Sequence, residues 1–249
     1  MDPPKKILIT RQYPEIGIRL LGEKGFDLRF WPGDSPMTPE ELAHRARDCD
    51  GLLCTLTDRI DRAFLDKNPH LDLVSQFAVG HDNIDIPHAT SLGIPVGFTP
   101  DVMTEATADV AFGLMIAAAR KMFFNHKLIL RGEWGSFMPK AHLGMELFGK
   151  TLGILGMGRI GMAMARRCKG AYGMDILYCS RNPCPEAQAG LGARRADFQD
   201  LLAQSDVVSI HCPLTPETRG IFDRTAFQKM KPSAVFINTA RGPIHNEAD

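Results

Sequence analysis

The chain reads as an α/β protein of two domains, each built on a parallel sheet. Short apolar runs alternate with helix-like segments over most of its 249 residues, the pattern of a parallel sheet covered by helices. A long helical pattern rich in Ala and Met, Val102 to Phe124, follows Thr99-Pro100-Asp101 and divides that alternation in two. Beyond it, the run Thr151-Leu-Gly-Ile-Leu155 stops at a glycine and becomes Gly156-Met157-Gly158-Arg159-Ile160-Gly161, then continues in helix-favouring residues to Cys168. The content of 44% hydrophobic and 23% charged residues is that of a globular protein with room for two modest domains.

Residues 1–99 form the first predicted domain. Lys5 to Thr10 is a strand, Ile16 to Lys24 a helix ending near Gly25, and Phe26 to Phe30 an alternating second strand. Thr38 to Arg47 carries an N-cap, a proline at the first helical position and acids in the first turn. Gly51 to Cys54, Leu71 to Phe77 and Ile94 to Phe98 are further strands, separated by helical or turn segments. Residues 100–249 form the second predicted domain. The helix Val102 to Phe124 is apolar on most faces and is expected to be buried between domains. The segment 126–149, with Trp134, Pro139 and several apolar residues, reads either as an arm contacting another subunit or as an ordered surface loop. Strands follow at 151–156, Met174 to Cys179, Ala193 to Ala196, Asp206 to His211 and Ser233 to Asn238, with helices over Asp197 to Ala203 and Thr225 to Met230.

A strand, a glycine turn and a helix start in that order match the needs of a dinucleotide pyrophosphate. Gly156 permits the tight turn, Gly158 lets backbone approach phosphate, Gly161 lets helix pack on strand, and the helix N-terminus offers free N–H groups. The next strand ends Tyr178-Cys179-Ser180-Arg181-Asn182, without the acid that binds ribose hydroxyls, and Asp175 lies at its other end. A serine beside an arginine suits a 2′-phosphate, so NADP is expected over NAD.

Lys+Arg and Asp+Glu both number 29, which gives no reason to expect nucleic acid or a membrane as partner. The start Met1-Asp2-Pro3-Pro4 lacks the apolar core of a signal peptide, and the run Val110 to Ala119 is far short of a membrane span. Six cysteines without Cys-x-x-Cys or zinc spacing read as reduced thiols of a cytoplasmic protein with no metal site.

Four stretches together resemble the D-specific 2-hydroxyacid dehydrogenases, particularly the glyoxylate/hydroxypyruvate reductase branch: Val79-Gly80-His81-Asp82-Asn83-Ile84-Asp85, Gly156 to Gly161, His211-Cys212-Pro213-Leu214-Thr215 with Thr218, and Asn238-Thr239-Ala240-Arg241-Gly242. The resemblance implies a flavodoxin-like substrate domain and a Rossmann-type cofactor domain, with the cofactor in the cleft between them, usually in a homodimer. It implies that Val79 and Gly80 hold the substrate carboxylate through backbone N–H groups, which are fixed and cannot lose a proton. It places Thr107 near the nicotinamide, Cys212, Pro213 and Thr218 on the cofactor wall, and Thr239 and Ala240 in the turn after the fifth strand. Arg241 matches the arginine that pairs with the carboxylate of a 2-keto acid and polarises its carbonyl. The Asp82 and Asn83 side chains are read as a turn-forming pair.

The resemblance also implies a glutamate and a proton-donating histidine beyond the point where this sequence stops, at His245-Asn246-Glu247-Ala248-Asp249 inside a helix after the fifth strand. Both domains are therefore expected to be incomplete at their C-terminal ends, in a truncated or processed chain. Neither His245, at a position usually apolar, nor His211, read as structural, nor the exposed His81 replaces the acid, and Glu247 has no evident partner. The implied activity is NADP(H)-dependent reduction of a short 2-keto acid such as glyoxylate or hydroxypyruvate to the 2-hydroxy acid, weak or lost in this chain alone. The competing reading is a dinucleotide-binding regulator without chemistry, against which Arg241 and the carboxylate loop count.

Overall fold

The computed structural model describes residues 3–136 and 138–249. Met1 and Asp2, at the start read for a signal peptide, and Phe137, in the expected arm, lie outside the described residues. The chain forms two compact units, Met1–Val102 and Met103–Asp249.

Unit 1 runs β1 (Lys6–Ile9), α1 (Glu15–Glu23), β2 (Asp27–Phe30), α2 (Pro39–Ala46), β3 (Gly51–Cys54), α3 (Arg62–Lys67), β4 (Leu73–Gln76), α4 (Ile86–Ser91) and β5 (Val96–Gly97). The strands pair in parallel in the order β2-β1-β3-β4-β5. Helix α2 begins where the sequence places it: Thr38 accepts from the Glu41 amide while Glu41 returns a bond to the Thr38 amide. Aspartates cap the next two helices, Asp61 on α3 and Asp85 on α4. Leu8, Leu52, Cys54 and Val74 pack one face of the sheet against Leu42, Ala46, Phe64 and Ala89. On the opposite face α1 buries no residue fully, and Leu21, Ile7, Leu53 and Leu73 line a recess of about 370 Å³.

Unit 2 opens with α5 (Thr104–Ala119) and α6 (Met122–Leu130), then β6 (Thr151–Leu155), α7 (Arg159–Tyr172), β7 (Asp175–Cys179), α8 (Pro185–Leu191) and β8 (Arg194–Arg195). It ends with α9 (Phe198–Gln204), β9 (Val207–Ile210), α10 (Arg224–Lys229), β10 (Val235–Asn238) and a 3-10 turn, Gly242–Ile244. All five strands are parallel, in the order β10-β9-β6-β7-β8. The chain steps outward from β6 through β7 to β8, then returns to lay β9 on the other side of β6. That reversal is the switch point at which doubly wound sheets hold their ligands. Both sheet faces are covered, which is why the strands read as continuous apolar runs. Leu152, Ile154, Ile176 and Tyr178 face Ala111, Met115, Met164 and Cys168, whereas Leu155, Val208 and Ile210 face Leu201, Leu202, Phe222 and Ala226.

Three expectations are corrected. The long helical pattern breaks after Ala119, where Lys121 takes a left-handed φ of 53° and starts α6 in a new direction. Its apolar residues are not buried on all sides: Ala108, Ala111 and Met115 are, but Val110 and Leu114 are exposed. Among the described residues past β10 there is a 3-10 turn in place of the expected start of an α-helix. Pro243 lies in the 3-10 turn, and His245 instead bridges to Phe222. In the segment 126–149, Leu147 is buried in the unit 2 core while Trp134, Met138, Leu143 and Phe148 are exposed.

Candidate functional site

The turn from β6 into α7 is shaped by what two glycines leave out. Gly156 has φ 97°, and a Cβ there would stand 2.5 Å from the Cys212 amide nitrogen, so the loops after β6 and β9 touch backbone to backbone. A Cβ on Gly161 would collide with the Gly156 carbonyl, which lets the first turn of α7 sit on the end of β6. Gly158 is the N-cap of α7, with open space where its side chain would be. No side chain caps this helix of 14 residues, so its first N–H groups and positive dipole end are left for a ligand. A cradle of bare backbone at the switch point fits a dinucleotide pyrophosphate. Within the motif the side chains divide: Met157 is buried in the core, Ile160 is half-buried and Arg159 is exposed on the first turn of α7.

At the tip of β7, Ser180 is half-buried and donates to the Asn182 carbonyl at 2.6 Å, while Arg181 is exposed. No acid occupies this tip, and Asp175 stands at the far end of the strand. The turn is tied to β8, where Arg195 Nη2 donates to the carbonyls of Ser180 and Arg181, each at 3.0 Å. Sequence reading missed Arg195, which is a strand position with no local motif around it.

The tip of β9 holds His211 and Cys212. The His211 ring shares a hydrogen bond with the Ser209 hydroxyl at 2.9 Å, and burial lowers its pKa to about 4, so it is neutral near pH 7. Burial pushes the Cys212 thiol up to about 11. Thr218 donates to the Pro213 carbonyl at 2.8 Å and accepts from the Thr215 amide at 2.8 Å, so its hydroxyl closes its own loop. After β10, Asn238 organises the turn: its Nδ2 donates to the Arg241 carbonyl at 2.9 Å and to His245 Nδ1 at 3.0 Å, and its Oδ1 accepts from the Ala240 amide. Thr239 Oγ1 is buried with no hydrogen-bond partner in this turn. Arg241 is half-buried, with Nη1 on the Ala240 carbonyl. Thr107 is half-buried in the first turn of α5.

In unit 1, Val79 and Gly80 follow β4, and among the described residues neither N–H has an acceptor. The loop is held from beneath. Buried Gln76 donates to the Gly80 carbonyl at 3.1 Å and to Asn83 Oδ1 at 2.7 Å, and Asn83 Nδ2 donates to the carbonyls of Thr55 and Asp58 at 3.1 and 2.7 Å. Asp82 and Asn83 occupy the turn closed by the Ile84 amide on the His81 carbonyl at 3.0 Å, as the sequence predicts, and the Asn83 amide in addition laces the loops after β3 and β4 together. Asp58 is fixed in turn by the Thr10 hydroxyl, the Thr55 amide and Arg11 at 3.0 Å. His81 is exposed and packs edge-on against Phe98.

Bare backbone at the switch point of a parallel sheet defines unit 2 as a dinucleotide-binding fold. The family model for the NAD-binding domain of the D-isomer specific 2-hydroxyacid dehydrogenases matches residues 112–249. Glyoxylate reductase of Thermococcus litoralis is 44% identical over 243 residues, covering 96% of this chain and 73% of that protein. Among solved structures, the TT0316 protein of Thermus thermophilus superposes with a TM-score of 0.88 at 36% identity, covering 98% of this chain and 76% of that one. A glyoxylate reductase from Paecilomyes thermophila gives 0.84 at 34% identity, covering 99% and 76%. The chain belongs to the D-isomer specific 2-hydroxyacid dehydrogenase family. Its cofactor class is a nicotinamide dinucleotide. Among the described residues no helix is long and apolar enough to cross a membrane.

Proposed function

We propose that the protein binds NADP(H) in preference to NAD(H) and takes a short 2-keto acid, glyoxylate or hydroxypyruvate, as the substrate reduced to the D-2-hydroxy acid. The tip of β7 carries this reading: it offers the Arg181 guanidinium and no carboxylate to repel a 2′-phosphate, and the Ser180 hydroxyl can serve as a second donor by turning from the Asn182 carbonyl. The Gly156–Gly161 turn, with Cys212, Pro213 and Thr218 beside it, would hold the pyrophosphate of such a cofactor. The buried Thr239 hydroxyl, which lacks a hydrogen-bond partner, supports the assignment of Thr239, Ala240 and Thr107 to the part of the site that would hold the nicotinamide. The bound nicotinamide supplies the hydride. The free amides of Val79 and Gly80 hold the substrate carboxylate, and Arg241, always protonated, offsets the charge that grows on the carbonyl oxygen. In these roles unit 1 is the substrate domain and unit 2 the cofactor domain.

Three histidines among the described residues lie near these strand ends, and each is engaged within its own unit. His211 is neutral and buried, His245 is engaged by Asn238, and His81 faces Phe98. Turnover by this chain alone is therefore expected to be slower by about 10²- to 10⁴-fold than with a placed acid. The exposed apolar residues Phe123, Phe124, Leu130 and Trp134, on α6 and just beyond, support a homodimer contact. Six free cysteines support a reducing, cytoplasmic setting.

Titration with NADPH and NADH tests the cofactor assignment. Losing a charged hydrogen bond costs about 1.5–3 kcal/mol, so Arg181→Ala is expected to weaken NADPH roughly 10- to 100-fold and leave NADH nearly unchanged. Equal losses for both cofactors refute it. Following NADPH absorbance with glyoxylate and hydroxypyruvate tests the chemistry. Tight binding with no oxidation at any enzyme concentration favours the regulator.

A further inference from the structure

We infer that Arg195 is a second determinant of selectivity for the phosphorylated cofactor, a positioning residue that fixes the Ser180-Arg181 turn and adds a second positive charge beside it. The inference rests on the NADP(H) reading above. One amino group of Arg195 bonds both carbonyls of the turn at 3.0 Å, a grip that pins two successive peptide units. The register pairs Arg195 with Tyr178 across the edge of the sheet, so the guanidinium reaches the turn from a rigid strand and not from a loop. A guanidinium carries five N–H donors, and the rest of this fork has no acceptor among the described residues.

The charge balance points the same way. Arg181 and Arg195 put two cations on one short turn, and among the described residues neither has a carboxylate within ion-pair distance. Glu217 is too far to pair. Its carboxyl is held down by the Thr215 hydroxyl and its own backbone amide, with Arg181 contributing at longer range. The Arg195 guanidinium is bonded to the same turn that carries Arg181, so a dianion entering at this turn meets two positive charges. A cofactor without the 2′-phosphate gains nothing from them.

The test uses two fragments that differ only in that phosphate, adenosine 2′,5′-bisphosphate and 5′-AMP, titrated calorimetrically into the wild type, Arg181→Ala, Arg195→Ala and Arg195→Lys. The wild type should prefer the bisphosphate. Arg195→Ala should cut that preference about tenfold, as expected for one charged contact, and Arg195→Lys should restore part of it. A merely structural role for Arg195 would weaken both fragments alike and leave their ratio unchanged. If Arg181→Ala cuts the preference while Arg195→Ala leaves the ratio intact, the Arg195 inference fails and the NADP(H) reading stands. If the wild type binds both fragments equally, the NADP(H) reading fails and this inference falls with it.

Discussion

Acid should destabilise unit 2 through His211, and the size of the effect follows from its burial. The ring lies at the end of β9 against the Ser209 hydroxyl, and desolvation lowers its pKa from 6.5 to about 4. A folded pKa below the unfolded one means that the unfolded chain takes up the proton first. The neutral ring therefore contributes its full stability above the unfolded pKa, and that contribution is lost as pH falls from 6.5 toward 4. A tenfold difference in proton affinity between the folded and unfolded chain is worth about 1.4 kcal/mol, so about 2 kcal/mol is lost by pH 5 and about 3 kcal/mol below pH 4.

Urea unfolding followed by far-UV circular dichroism, run near pH 7.5 and pH 5 on the wild type and His211→Gln, isolates this contribution. Glutamine keeps a hydrogen-bonding group for Ser209 but does not titrate. The wild type should lose about 2 kcal/mol more than the variant between those two pH values, in the transition that the substitution itself shifts. Parallel losses in the two proteins would refute the argument, because other titrating groups act on both equally.

Gly156→Ala forces a side chain into a left-handed φ of 97° and against the Cys212 backbone. The conformation alone costs about 1–2 kcal/mol, and thermal unfolding together with weaker binding of the nicotinamide dinucleotide should both report it. Asn83→Ala removes the lacing between the loops after β3 and β4, leaving the Gln76 amide and two carbonyls without their partner. A loss of about 1–3 kcal/mol is expected in the unfolding of unit 1, and an unchanged midpoint would show that water replaces Asn83 at no cost. Burial raises Cys54 and Cys168 to about 12 and Cys212 to about 11, so these thiols should resist iodoacetamide at neutral pH and react only after unfolding. Mass mapping of the alkylated peptides reads this directly, and rapid labelling of any of the three in the native protein contradicts it.

What is legible in the sequence is local. The apolar run Gly51 to Cys54 predicts β3 at its observed limits, and the N-cap, the proline and the acids of the first turn predict the start of α2, because each signal lies within one turn or strand. The break at Lys121 is not legible, since Arg120-Lys121 interrupts the apolar pattern without a glycine or proline to announce a new helix. The lacing by Gln76 and Asn83 is hidden for a different reason. Asn83 reaches carbonyls 28 and 25 residues away, and a lone Asn beside Asp looks locally like any turn. Arg195 escapes notice in the same way, as its contacts lie 14 and 15 residues back along the chain.

The contact between Gly156 and Cys212 explains why the glycine motif and the His211-Cys212-Pro213 stretch belong together although they lie far apart in sequence. β6 and β9 are direct neighbours, with Leu155 in register with Ile210, so their following loops must leave the sheet side by side. A side chain at 156 would wedge those loops apart, and α7 would then start displaced from the sheet end by the thickness of a methyl group. The same register sets β7 on the other side of β6, with Leu155 opposite Cys179, and Gly156 donates to the Cys179 carbonyl at 2.8 Å. The turn is thus bonded to one neighbouring strand end and pressed against the other. The requirement for glycine at 156 comes from sheet order before any ligand binds, and the bare helix N-terminus comes separately, from Gly158 at the N-cap.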